Sequence, residues 1–151
     1  MKKSSRGFTL IEILLAIGIL AILATAVIIA INPARQFAEA RNSQRWNDVN
    51  ALMNAVYQYS VSNKGALPPE IPSTQSPGEI CFEDAQFCST MLGMPSLTAS
   101  AKYLTALPVD PSCPDSCTPY LIGYTISQNI DGRIRITAPH AELGETIELI
   151  R

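Results

Sequence analysis

Cys81, Cys88, Cys113 and Cys117 have the widest chemistry open to them in this chain of 151 residues. Four thiols can oxidise to two disulfides or hold one zinc ion together. Their spacing matches zinc-site patterns poorly, so disulfides are the expected state. Three pairings are open; Cys81–Cys88 with Cys113–Cys117 is preferred because each closes a short loop. Glu79, Glu83, Asp84, Asp110 and Asp115 crowd the same loops. They lack the spacing of a calcium-binding loop and read as solvated acids. His140, the sole histidine, sits in Pro139-His140-Ala141 and reads as a surface residue. Neither a glycine-rich phosphate loop nor an H-E-x-x-H helix occurs. The expectation is therefore no enzyme, no cofactor and no metal. One further residue stands out. Glu12 places a carboxylate within an apolar run that has no other charge from Ile13 to Ile31.

Phe8 to Ile31 is long enough for a helix of roughly 36 Å, against a bilayer core of about 30 Å. A buried core helix or a secretory signal peptide are the competing readings. Ala21 to Ala26 imitates the small-residue end of a signal peptide. Lys2, Lys3 and Arg6 precede the apolar run, which predicts a cytoplasmic N-terminus with the rest of the chain outside. Disulfides fit that compartment. A carboxylate in hydrocarbon costs several kcal/mol unless something neutralises it, so Glu12 needs a partner. Arg6 or a headgroup is the local option, and a positive charge on a neighbouring molecule is the other. Net charge is -2, and loss of the first residues would make the remainder more acidic. That argues against nucleic acid as a partner of the bulk surface.

Lys2, Lys3, Arg6, Gly7, then Phe8-Thr9-Leu10-Ile11-Glu12 and a long apolar run resemble the class III leader of type IV pilins and pseudopilins. The resemblance covers about the first fifth of the chain. It implies cleavage between Gly7 and Phe8 by a prepilin peptidase, and N-methylation of Phe8. It further implies that Glu12 meets the amino group of Phe8 in an adjacent subunit of a helical filament. Copies of the chain, an inner-membrane assembly platform and cytoplasmic ATPases are the implied partners. Many pilins carry a proline about twenty residues after the cleavage-site Phe. Here Ile28 and Ile29 occupy that region, and Pro33 is the first proline. Pro33 either kinks the helix or starts a new one capped by Asn32. Gly18 and Pro33 are the expected weak points.

The elements that must carry these residues follow from pattern. The resemblance makes residues 1–7 the leader and 8–31 the membrane or filament-core helix. Residues 32–63 form an amphipathic helix with Trp46, Val49, Leu52, Met53, Val56, Tyr59 and Ser60 on the core-facing stripe. Gly65 should stop it after Asn63 and Lys64. Arg35 and Glu39 are spaced as an i,i+4 pair. Arg35, Arg41 and Arg45 read as a solvated or headgroup-facing basic cluster, able to pair with Glu39 or Asp48 of a neighbour. Residues 64–119 form a disulfide-containing loop region with short helices, one over Thr98–Leu107. Residues 120–151 form an antiparallel meander with strands at 120–127, 133–138 and 146–150 and an Asp131-Gly132 turn. The expected fold class is α+β: a long N-terminal helix packed on a small C-terminal antiparallel sheet of about three strands.

The leading functional expectation is a structural subunit of a type IV pilus filament. It is a single-pass membrane protein before assembly and extracellular afterwards. A pseudopilin of a type II secretion or DNA-uptake system is the alternative, and only there would nucleic acid be a partner. A membrane-anchored binding domain that never polymerises is the third reading. In that case Glu12→Ala leaves behaviour unchanged.

Overall fold

The computed structural model describes residues 7–72, 76–82, 91–113, 117 and 120–151. Lys2, Lys3, Arg6, Glu83, Asp84, Cys88 and Asp115, named from the sequence, lie outside the described residues. The chain divides into two compact units, Met1–Phe37 and Ala38–Arg151.

In the first unit, helix α1 spans Leu10–Ile31. Thr9 caps its start, and its hydroxyl accepts the Glu12 N–H at 3.3 Å. No residue of α1 is buried within the chain, although nearly every side chain is apolar. The helix ends at Asn32, whose φ of 49° and ψ of 77° are left-handed. Asparagine tolerates that region better than other residues with a Cβ. Helix α2, Pro33–Ser62, begins at the next residue. Pro33 needs no N–H acceptor there, and its fixed φ suits the first turn. The Asn32 side chain accepts the Arg35 N–H at 3.4 Å, so Asn32 both ends α1 and caps α2. Of the two readings of Pro33, the structure adopts the new helix.

In the second unit α2 lies on a sheet. Val49, Leu52, Met53, Ala55 and Val56 are buried. Apart from Ala55, each of these side chains contributes about 1.5–3 kcal/mol on leaving water. Tyr59 packs at the margin of this core. Trp46, placed on the buried stripe by its spacing, is instead 38% exposed. The true stripe is centred on Val49 and Met53, and its first turn is taken by the buried Asn42 and Arg45. The helix stops as expected. Lys64 and Gly65 have φ of 57° and 92°, and the Gly65 N–H reaches back to the Ser60 carbonyl at 2.8 Å.

The sheet has four antiparallel strands in chain order: β1 Gly78–Cys81, β2 Leu121–Gln128, β3 Ile134–Thr137 and β4 Glu148–Ile150. Strand β1 is one more than the meander anticipated. It is too short for its alternation to show, and its partner β2 is remote in sequence. Leu92 bonds the outer edge of β1: the Cys81 N–H donates to the Leu92 carbonyl, and the Leu92 N–H to that of Glu79. Ile80, Ile122, Tyr124, Ile126, Ile134, Ile136 and Ile147 are buried and form the core with α2, together with Met94, Leu97 and Leu107. The Asp131-Gly132 turn closes with the Gly132 N–H on the Asn129 carbonyl at 3.0 Å. The helix expected over Thr98–Leu107 starts earlier and is shorter. A turn of α3, Pro95–Thr98, leads into a 3-10 turn at Ala99–Ala101. Pro95 sets the helical φ at the start, and positive φ at Ser100 and Ala101 ends the run.

Candidate functional site

Two features stand out among the described residues: the start of α1, and a buried ion cluster beneath α2.

At the start of α1, Gly7 and Phe8 precede the helix, and Phe8 is 78% exposed. Glu12 is the third helical residue, N3, with Thr9 as N-cap. The run Thr-x-x-Glu is the spacing of a capping box, a signal that the sequence carries beside the charge in the apolar run. It gives Glu12 a local role. A carboxylate in the first turn gains about 0.3–1 kcal/mol from the helix dipole. Burial of that charge in hydrocarbon costs several kcal/mol. The cap offsets only part of that cost, and the carboxylate remains exposed within the chain.

Beneath α2, Arg45 is completely buried, as is the Asp110 side chain. The sequence reads Asp110 as solvated and Arg45 as solvated or headgroup-facing; the structure buries both. The guanidinium pairs with the carboxylate through two bonds, Nε to Oδ2 at 2.7 Å and Nη2 to Oδ1 at 3.0 Å. Nη2 also donates to Ser112 Oγ. Nη1 donates to Asn42 Oδ1 at 2.9 Å and to Glu142 Oε2 at 3.0 Å. Arg41, one turn earlier, clamps Glu142 from outside with two bonds of 2.6 Å. Asn42 holds the Glu142 backbone from both sides, accepting its N–H and donating to its carbonyl. A bidentate pair with every remaining donor satisfied is the arrangement a buried guanidinium needs. Of the basic cluster read as surface, Arg45 thus faces inward, while Arg41 stays at the rim, partly exposed.

Charge shifts follow. Hydrogen bonds from Arg41 hold the Glu142 carboxyl down to about 2, with burial opposing and Arg45 assisting. Burial alone would lower Arg45; the bonds to Asp110 and Glu142 outweigh it and raise it. Burial raises Asp48, whose carboxylate accepts the Tyr124 hydroxyl at 2.6 Å. Tyr124 is raised too, by burial and then by Asp48.

A disulfide joins Cys113 to Cys117, the expected local pairing. Cys81 is disulfide-bonded as well, and Cys88 lies outside the described residues. Glu79 and His140 line a cavity of about 240 Å³ with Tyr124 and Thr125. His140 is half-buried there.

With that geometry in view, residues 2–28 match the prokaryotic N-terminal methylation motif. Comparison with curated proteins gives no match, and neither does comparison with solved structures. The chain carries a class III prepilin-like leader, of the kind found on type IV pilin and pseudopilin precursors. Such a leader implies processing by a prepilin peptidase. The apolar α1 fits a membrane-anchored protein.

Proposed function

We propose that this chain is the precursor of a structural filament subunit of the type IV pilin kind, with no catalytic role. The observation that carries the reading is the coincidence of the methylation motif with α1. The motif ends within a 22-residue apolar helix that buries nothing inside its own chain. Such a surface needs lipid or other protein around it. Before assembly α1 sits in the membrane with its N-terminus in the cytoplasm. A prepilin peptidase cuts between Gly7 and Phe8, and Phe8 is N-methylated. The helices of successive subunits then bundle, and Glu12 receives the amino group of Phe8 from an adjacent copy. The platform and ATPases that drive assembly are separate proteins.

Intact mass and N-terminal sequencing of the protein from cells test the processing step. A chain beginning at methylated Phe8 is expected. A chain beginning at Met1 or after Ala26 would sink the reading. Filaments composed chiefly of this chain on the cell surface are expected of a pilin, whereas a pseudopilin would leave none.

A further inference from the structure

We propose that Leu143 is a contact between copies of this chain: it seats in an aromatic groove at Tyr57, Val61 and Tyr103 on the second unit of a neighbouring copy. The proposal rests on the filament reading for its partner, and it concerns a surface that the leader and α1 do not include.

Leu143 stands where leucine is a poor choice. The Glu145 N–H closes a turn on the Glu142 carbonyl at 3.1 Å. Both residues between them have positive φ, 59° at Leu143 and 72° at Gly144. Asparagine and glycine ordinarily fill such positions, because a Cβ is crowded in left-handed backbone. The core gives Leu143 nothing in return. It is 51% exposed and lies outside the buried cluster and its margin. Yet the turn is firmly held. Asn42 bonds the Glu142 backbone on both sides and donates to Glu145 Oε2 at 3.1 Å. Arg41 and Arg45 clamp the Glu142 carboxylate. Backbone strain of this kind persists where the surroundings over-determine it, and it clusters at functional positions. A preordered apolar knob also loses little entropy on docking.

The groove lies at the other end of α2. It has a volume of about 540 Å³ and is lined by Asn54, Tyr57, Gln58, Val61, Lys102 and Tyr103. Val61 is 82% exposed and Tyr57 38%. Tyr59 meets the Tyr103 ring edge-on at 5.6 Å, and Lys102 Nζ lies 4.8 Å from the centre of that ring. Among the described residues no acid lines the groove, so Lys102 makes it positive. The knob has the opposite sign. Arg41 and Arg45 neutralise Glu142, whereas the exposed Glu145 is held by the neutral amide of Asn42. Sixteen residues of α2 separate Asn42 from Gln58, roughly 24 Å at 1.5 Å each. The knob therefore cannot fill the groove of its own chain, and a second copy is the occupant. A one-residue knob buries far less than the roughly 1,200 Å² of a stable complex. Free second units stay apart, and the contact counts where α1 gathers copies at high effective concentration.

The test is photo-crosslinking of the full chain in lipid vesicles, with benzoylphenylalanine replacing Leu143. A covalent dimer is expected, its crosslinked peptide mapping to residues 54–62 or 102–103 of the second copy. Adducts to lipid alone, adducts elsewhere on the chain, or no dimer overturn the proposal. Leu143→Asn should raise the melting temperature in detergent by about 2–4 °C. In cells the same variant should cut filaments at least tenfold beside an unchanged level of processed subunit. A lower melting temperature would make Leu143 part of the fold, and an unchanged filament count would leave it idle; either overturns the contact. Lys102→Glu should lose filaments likewise, and Glu145→Lys in the same chain should restore them; failure to recover also counts against it. Wild-type protein left unprocessed would instead sink the filament reading, and the vesicle crosslink judges the contact in either case.

Discussion

Arg45 and Asp110 show how an ion pair can be essential to a fold without being a net source of its stability. Taking both from water costs several kcal/mol each, and the bidentate contact with its neighbours offsets that. Removing one partner is therefore worse than removing both. Asp110→Ala should destabilise by about 3–5 kcal/mol, while R45M/D110L should cost far less, read by denaturant melts. Glu142 gives the cluster a pH signature. Its folded value of about 2 lies below the ordinary 4.5, so the unfolded chain binds the proton first on acidification. Its contribution is complete above about pH 4.5 and is lost as pH falls toward 2. Asp48 works the opposite way, because its folded value is raised; what it contributes is present at low pH and lost as pH rises. Melts from pH 6 to pH 2 should show stability falling in the wild type, and a shallower fall in Glu142→Gln. None of this was legible in the sequence. Arg45 stands 65 positions from Asp110 and 97 from Glu142, and its neighbours on α2 give it the look of a surface cation. The cysteine pairing was legible because a separation of four leaves little room for any other partner.

Elements were readable where a local signal exists and opaque where a remote strand supplies the reason. Gly65 ended α2, Asn32 and Pro33 began it, and the Asp131-Gly132 turn joined β2 to β3, all from residue types acting within one turn of chain. Strand β1 has only Ile80 and Cys81 buried, and exists because β2 and Leu92 flank it. The register also slips there. Glu79 faces Thr125 and Cys81 faces Leu121, so Ile80 alone stands opposite three residues centred on Gly123. At φ of 83°, Gly123 makes the bulge possible. Gly123→Ala should cost about 1–2 kcal/mol for the left-handed backbone. Crowding Asp110 adds roughly 1–3 kcal/mol of overpacking. A melt of the variant checks the sum. Gly18, by contrast, has open space where a Cβ would go, so Gly18→Ala should leave the fold intact and firm α1 by roughly 1 kcal/mol.

The whole molecule joins two parts with opposite solvent needs. Ala38–Arg151 has its own core, its helix stop and its ion cluster, whereas α1 exposes Leu10, Ile11, Ile22 and Ile29 to more than 70%. A fragment of residues 38–151 should therefore be soluble without detergent and monomeric, by sedimentation, and keep the melting behaviour of the second unit. The full chain should require lipid, detergent or its own copies. Glu12 separates these environments. In water its carboxylate is content, and the capping position even favours it. In lipid or a helical bundle the same group costs several kcal/mol unless an amine meets it. Glu12→Ala thus leaves the second unit folded and α1 more apolar, so membrane retention should hold or strengthen. Assembly should fail or fall at least tenfold, counted as filaments per cell beside an unchanged level of processed subunit. Glu12→Gln discriminates further. It retains hydrogen bonding but not charge, so assembly that survives Gln and not Ala would assign the group a polar contact. Loss with both assigns it the ion pair with Phe8 of an adjacent copy. Normal filaments from Glu12→Ala would remove the electrostatic steering from the proposed assembly and leave apolar burial alone to order the bundle.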